Sequence, residues 1–329
     1  MKKLLLILIK NTTMKKILLI LLCLPLMILA QQTYVPDDNF EAFLENNGMG
    51  NGILNDDYVT TANINSVTFS DVSSQNISNL TGIEDFTAIT ILWCQNNQLA
   101  SLDVSQNIAL SQLTCSSNQL TSLDVSNNTT LTRLDCFNNE LTSLDVSQNT
   151  ALWGLGCGNN TLTSLDVIQN TALTDLHCEN NQLTSLDVSQ NTALTELYCS
   201  DNELTSLDVS NNIALTWLYC GMNQLTSLDV RNGNNTNFTL LGISTFNCTG
   251  NSNLICINVD DATWSTSNWT NIDPQHYFSN NCPPPSAIEE HTTNKELLRT
   301  IDVLGRETKH KPLFYIYDDG TVEKRITIE

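Results

Sequence analysis

A period of 21 residues, held without drift over seven copies, constrains this chain more than any other feature of it. From Leu110 to Thr130 one copy reads LSQLTCSSNQLTSLDVSNNTT, and Leu131 begins the next. The step is marked by Cys94, Cys115, Cys136, Cys157, Cys178, Cys199 and Cys220, each followed three residues later by an asparagine, from Asn97 to Asn223. Asp103, Asp124, Asp145, Asp166, Asp187, Asp208 and Asp229 keep the same step. A unit this short cannot bury its own apolar side, so neighbouring units must stack and share one core. The chain is therefore read as a solenoid.

Within a copy the apolar positions are Leu110, Leu113, Cys115, Leu120, Leu123 and Val125. Their spacing is too irregular for a helical stripe. Leu113 with Cys115, and Leu123 with Val125, are two apart and can point to one side of a short strand. The unit thus holds one half-motif twice, L-x-x-L-x-[C/V]-x-x-N, with a bend at each asparagine. This predicts a β-rich solenoid with two short parallel strands per 21-residue coil, in two narrow sheets whose rungs lie about 4.8 Å apart.

The segment LxxLxCxxNxL resembles the leucine-rich repeat, with cysteine in the last apolar slot before the asparagine. It is similar to the short bacterial class that nests two half-motifs, and the matching segments cover about residues 67–244. The resemblance implies that Asn97 through Asn223 bond to backbone groups inside the bend, pairing polar groups that would otherwise be buried alone. Residues 67–88, with NISNLTGIEDF, look like the diverged first coil of internalin-like proteins.

Residues 1–30 read as a targeting segment, and Met14 to Ala30 has the basic start, apolar centre and small final residue of a signal peptide. The apolar run from Ile17 to Ala30 is too short for a membrane anchor, so no transmembrane span is expected in the mature chain. Residues 31–66 are expected to form an amino-terminal cap, with Asp37-Asp38-Asn39 starting a short helix over Phe40, Phe43 and Leu44. In this cap Asn55, Asp56 and Asp57 read as a solvated turn, although calcium is conceivable there. After about Val230 the phase slips, and Phe238 to Val259 reads as final irregular coils. Residues 245–282 are expected to cap that end with Trp264, Trp269, Tyr277 and Phe278. Cys248, Cys256 and Cys282 lie there. Export permits disulfides, with Cys256–Cys282 the favoured pair and reduced, buried thiols the alternative.

Residues 283–294 read as a linker. Residues 295–329 hold seven of the chain's 14 Lys and Arg, and LFYIYDDGTVEKRITIE predicts a hairpin around Asp318-Asp319-Gly320. This segment resembles the carboxy-terminal sorting domain of the type IX secretion system of Bacteroidota, but it lacks that family's usual Pro-Asn-Pro opening. The resemblance implies contact with that secretion machinery and a place outside the cell, secreted or on the outer-membrane surface.

Charge excludes several functions. Between residues 31 and 294 only Arg133 and Arg231 are basic, against 28 acidic residues. Nucleic acid needs a basic footprint, so it is not a partner, and anionic membrane is equally unsuited. The regularly spaced cysteines resemble metal ligands on paper, yet zinc needs four convergent ligands and a ladder supplies a straight row. Buried packing is the reading adopted. The seven aspartates of the ladder stack like charges on neighbouring rungs, which destabilises unless compensated. Two compensators stay open: hydrogen bonds from Thr121, Ser122, Ser126 and their equivalents, or calcium shared between rungs. No GxSxG, HExxH or phosphate-binding glycine loop occurs, so the chain is not expected to be an enzyme or to hold a cofactor other than that calcium.

One face varies. The slot between the leucine and the cysteine of each copy holds Trp93, Thr114, Asp135, Gly156, His177, Tyr198 and Tyr219. Two positions earlier stand Ile91, Gln112, Arg133, Gly154, Asp175, Glu196 and Trp217. Trp93, Arg133, Asp135, His177, Glu196, Tyr198, Trp217 and Tyr219 are the candidate binding residues, for a protein or a glycan partner. The first expectation is a secreted or surface binding module, with adhesion as one role open to it. The alternative is a structural surface repeat whose acidic ladder depends on calcium.

Overall fold

The computed structural model describes residues 31–240 and 243–283, together with the backbone of three later strands. The signal-peptide reading, the linker beyond Pro283 and the tip of the carboxy-terminal hairpin lie outside the described residues. The chain divides into two units, Met1–Cys282 and Pro283–Glu329.

The first unit opens with β1 (Gln32–Tyr34), helix α1 (Asp38–Asn46), β2 (Tyr58–Thr60), antiparallel to β1, and a single turn α2 (Thr61–Ile64). Helix α1 begins where the sequence places it. Asp37 accepts hydrogen bonds from the Asn39 and Phe40 amides with Oδ1, and from the amides of Ser78 and Asn79 with Oδ2. One carboxylate therefore satisfies helix-start donors and ties them to the first coil. Phe40 packs on Phe86, with ring centroids 6.3 Å apart, at the start of the solenoid core. Gly82 has φ +104°, and a Cβ there would sit 2.8 Å from the Val35 side chain and 2.9 Å from the Tyr34 carbonyl oxygen. Only glycine lets β1 approach this closely.

Three-residue strands then recur: β3 (Phe69–Asp71), β4 (Ile91–Trp93), β5 (Gln112–Thr114), β6 (Arg133–Asp135), β7 (Gly154–Gly156), β8 (Asp175–His177) and β9 (Glu196–Tyr198). After these come β10 (Ser206–Asp208), β11 (Trp217–Tyr219), β12 (Ser227–Asp229), a short hairpin of β13 (Thr239–Leu240) and β14 (Ile243–Ser244), β15 (Phe246–Asn247), β16 (Cys256–Asn258), helix α3 (Ala262–Asn268) and β17 (Tyr277–Ser279). A parallel nine-stranded sheet runs β15-β11-β9-β8-β7-β6-β5-β4-β3, with leucine opposite leucine in the successive registers from β4 to β11. This is the leucine-rich-repeat-like β-solenoid that the period predicts.

Inside, the leucines, valines and Cys94 through Cys220 are fully or almost fully buried. The asparagines fasten one rung to the next. Asn118 Nδ2 donates to the Cys115 and Cys94 carbonyls while its Oδ1 accepts from the Leu99 amide. Asn139, Asn160, Asn181, Asn202 and Asn223 repeat the arrangement. Each amide thereby spans two rungs and leaves few turn groups unpaired.

Two expectations need correction. The phase slip near Val230 is an insertion, and the ladder does not end there. Asn251 Nδ2 reaches the Cys220 carbonyl across 31 residues, where regular rungs span 24. The hairpin β13–β14 and a 3₁₀ turn at Asn235–Asn237 take up the extra chain. Phe246, Cys248 and Asn251 then resume the leucine, cysteine and asparagine roles, so the buried column gains an eighth thiol. Further on, Trp269 stacks on Phe246 at 4.1 Å between centroids, and a disulfide joins Cys256 to Cys282.

The second correction concerns the other side of the coil. Strands form there only in β10-β12-β16-β17; earlier SLDV segments are extended without ladder pairing. A cleft of about 310 Å³, lined by Ser185, Asp187, Ser189, Ser206 and Asp208 among others, marks the junction. Along the row like charges face each other, as Asp124 does Asp103 and Asp145, while at the paired end the Arg231 guanidinium bonds to Asp229.

The second unit contains a three-stranded antiparallel sheet, β18 (Leu297–Ile301), β19 (Phe314–Tyr317) and β20 (Val322–Lys324).

Candidate binding face

Alternation along each strand sets three residues of every rung outward. On β8 Leu176 and Cys178 are buried, so Asp175, His177 and Glu179 face out. The same rule gives Glu196, Tyr198 and Ser200 on the next rung, then Trp217, Tyr219 and Gly221. Sequence reading took the first two columns and missed the third, in which Phe137 and Glu179 stand. The cysteine's inward role could have found it, because the residue after an inward one must point out.

The rings join into one run. His177 stacks on Tyr198 at 4.3 Å and 13° between planes; Tyr198 meets Tyr219 edge-on at 5.2 Å and Trp217 at 6.1 Å; Trp217 and Tyr219 are 5.6 Å apart. Phe137 extends the run from the other side, 6.0 Å from His177. It can do so because the rung between them carries Gly154, Gly156 and Gly158. A Cβ on either Gly156 or Gly158 would collide with the Phe137 ring.

Carboxylates surround these rings. Burial, then Glu196, Tyr219, Glu179 and Asp175, push the Tyr198 phenol up to about 12. Burial also raises the Glu179 carboxyl. Glu179 Oε2 and Trp217 Nε1 are both shielded from solvent without a hydrogen-bond partner. Such groups are costly to leave unpaired.

The other candidates fall elsewhere. Arg133 Nε bonds to Asp135 Oδ2 at 2.8 Å, and the guanidinium lies 5.3 Å from the centre of the Trp153 ring; both charges are spent on each other. Trp93 packs edge-on against Phe69 at 5.1 Å. Its strand is five places from β9 in the sheet, about 24 Å away at the usual strand spacing, so it is not part of the ring cluster.

On the opposite side each ladder aspartate closes its own bend. Oδ1 of Asp103, Asp124, Asp145, Asp166, Asp187, Asp208 and Asp229 accepts from the amide two residues on, at 2.9–3.1 Å. Hydroxyl and amide donation by the following serine holds the Asp103, Asp124, Asp145 and Asp187 carboxyls below the ordinary value. Ser126 and its equivalents are the donors; Thr121 and Ser122 give no bond to these carboxylates. Among the described residues, the acidic side chains that converge within 4.8 Å are instead Asp38, Glu41 and Asp57. Glu41 is buried, and its oxygens accept from the Asp56 and Asp57 amides. The cysteine column offers no nucleophile, since burial raises all of its thiols, Cys115 to about 12.

The fold resembles that of internalins. The functional domain of InlJ from Listeria monocytogenes, which includes a cysteine ladder, is 35% identical with a TM-score of 0.53 over 76% of this chain. This chain spans 61% of that structure. An internalin C2 from the same organism, strain 4b F2365, aligns over 70% of this chain and 98% of its own at 20% identity, TM-score 0.54, and shows the shared fold. No protein-family model matches the chain, and no curated protein is significantly similar to it. The protein has a distant internalin-like solenoid fold.

Proposed function

We propose that this chain is a secreted or surface-displayed, non-catalytic binding module that recognises its partner through the variable face of the nine-stranded sheet. The observation that carries this reading is the gathering of His177, Tyr198, Trp217 and Tyr219 on three successive rungs. A packed, half-exposed aromatic group on a rigid scaffold is the usual anchor of an interface. The elements at either end act as caps, and residues 295–329 carry the chain to the cell surface as a sorting domain. Their antiparallel sheet and the resemblance noted above support that route. The test is a glycan array and a peptide array, each probed with the secreted chain and with Tyr198→Ala/Trp217→Ala. The double variant loses about tenfold or more in affinity for whatever is bound. Equal binding by both proteins rejects this face.

A second reading, a calcium-dependent structural module, draws on the convergence of Asp38, Glu41 and Asp57. It places the ion in the amino-terminal elements and away from the aspartate ladder. Melting with calcium against chelator, on wild type and Asp57→Asn, decides it: a shift confined to wild type supports the site, and no shift dismisses it.

A further inference from the structure

The aromatic strip has an electrostatic character that narrows its partner. Resting on the binding reading above, we propose that the strip formed by Asp175, Glu179, Glu196, Tyr198 and Trp217 takes an arginine- or lysine-bearing segment of a partner protein. Three observations support this.

The first is charge. Asp175 and Glu179 stand on one rung and Glu196 on the next, all on the outward side of the sheet. Neither arginine of the described solenoid is free to neutralise them, and the His177 ring is the basic group beside Glu179. Arg133 is held by Asp135 and lies over Trp153, and Arg231 is bound to Asp229 on the other side of the coil. The strip is therefore an acidic surface without an arginine or lysine of its own, with low-dielectric rings in its middle, where an incoming cation gains most.

The second is hydrogen bonding. Glu179 Oε2 accepts nothing and Trp217 Nε1 donates to nothing, although both are screened from water. Once these side chains turn toward a partner, a guanidinium or ammonium can donate to the Glu179 carboxylate, and the backbone carbonyl of the segment carrying it can accept from Trp217. One basic peptide satisfies both.

The third is geometry. Tyr198 is stacked on His177 and edge-on to Tyr219, so the cluster is rigid before any partner arrives. Cations stack on such rings, with arginine the commoner choice. A neutral glycan would also stack, but it would leave partly desolvated carboxylates without a counter-charge. The surface is a sheet face and not an enclosed cavity, so a cation is retained there only when a larger partner holds it in place. That favours a protein segment over a free small cation.

The chain as a whole is acidic, and any oligocation will be drawn to it. The experiment must separate the strip from that background. Twelve-residue peptides bearing arginine or lysine, their citrulline counterparts, and neutral and sialylated glycans are arrayed and probed with the full chain. The same arrays are probed with Glu179→Gln/Glu196→Gln, and with Asp124→Asn/Asp145→Asn as the control for overall charge. Melting of each variant checks the fold.

The expected result is binding of a subset of basic peptides that falls about tenfold on exchange of arginine for citrulline and about tenfold in the Glu179→Gln/Glu196→Gln protein. Binding weakens with added salt, and the Asp124→Asn/Asp145→Asn control retains it. Equal losses in the two variant proteins would overturn the proposal in favour of general attraction. Binding to neutral glycans, or to peptides regardless of charge, with no effect of Glu179→Gln/Glu196→Gln would overturn it while leaving the face as a site. Binding on neither array that depends on Tyr198 and Trp217 would remove the underlying reading of the face as well.

Discussion

Each side chain in a rung has one assignment, and the backbone enforces it. The second residue after each ladder cysteine has positive φ: Asn96, Ser117, Asn138, Asn159, Asn180 and Asp201 lie between 52° and 57°, and Gly250 at 77° continues the series. Asn, Asp and Gly tolerate this left-handed region. Met222 does not, yet it sits at φ 51° and is 58% exposed, so little burial offsets its strain. Met222→Asn is expected to stabilise the chain by about 0.5–1 kcal/mol, read from the denaturant midpoint. An unchanged or lower midpoint would show that the methionine makes a contact worth more than the strain. At this scale the sequence was largely legible, because the Cys-x-x-Asn spacing fixes which residues point in. Glu179 and Phe137 escaped notice because they follow the cysteine, outside the columns compared from copy to copy. Their roles depend on a glycine rung whose effect appears only when side chains are placed across rungs.

Elements here are too short to be stable alone and draw their stability from the junctions between them. The first junction rests on Asp37. Burial alone would raise its carboxyl, but the Ser78 hydroxyl and amide and the Phe40 and Asn79 amides outweigh that and hold it below the ordinary value. A carboxylate with a depressed folded value contributes its full stability above the unfolded value and loses it as pH falls through the folded one. Helix α1 should therefore loosen as pH drops below about 4. Asp37→Ala should cost about 2–3 kcal/mol at neutral pH through the lost cap and the lost charged hydrogen bonds. Hydrogen exchange at Phe40, Ser78 and Asn79 would report both effects, and protection unchanged in the variant would refute the junction. Helix α1 could be read in advance from its capping residues. The missing strands of the early SLDV segments could not, because the same SLDV sequence is paired at Ser206 and Ser227 and unpaired in the earlier copies. The insertion before Phe246 hid the resumed ladder for a simpler reason: a shifted phase conceals a motif even when its residues are present.

Seen whole, the solenoid divides its labour between two sides. One side repeats a locally hydrogen-bonded aspartate at every bend and offers a partner little to discriminate. The other varies from rung to rung and concentrates rings on β8, β9 and β11, with carboxylates beside them on the first two of those rungs. Hydroxyl-radical footprinting of the full chain, with and without an oligoarginine peptide, locates the working side directly because Trp, Tyr and Phe are readily labelled reporters. The account predicts protection of Tyr198, Trp217 and Tyr219, with Trp93 and Trp153 labelled as before. Protection centred on Trp93 and Phe69, or a bound peptide that shields none of the three rings, would contradict it.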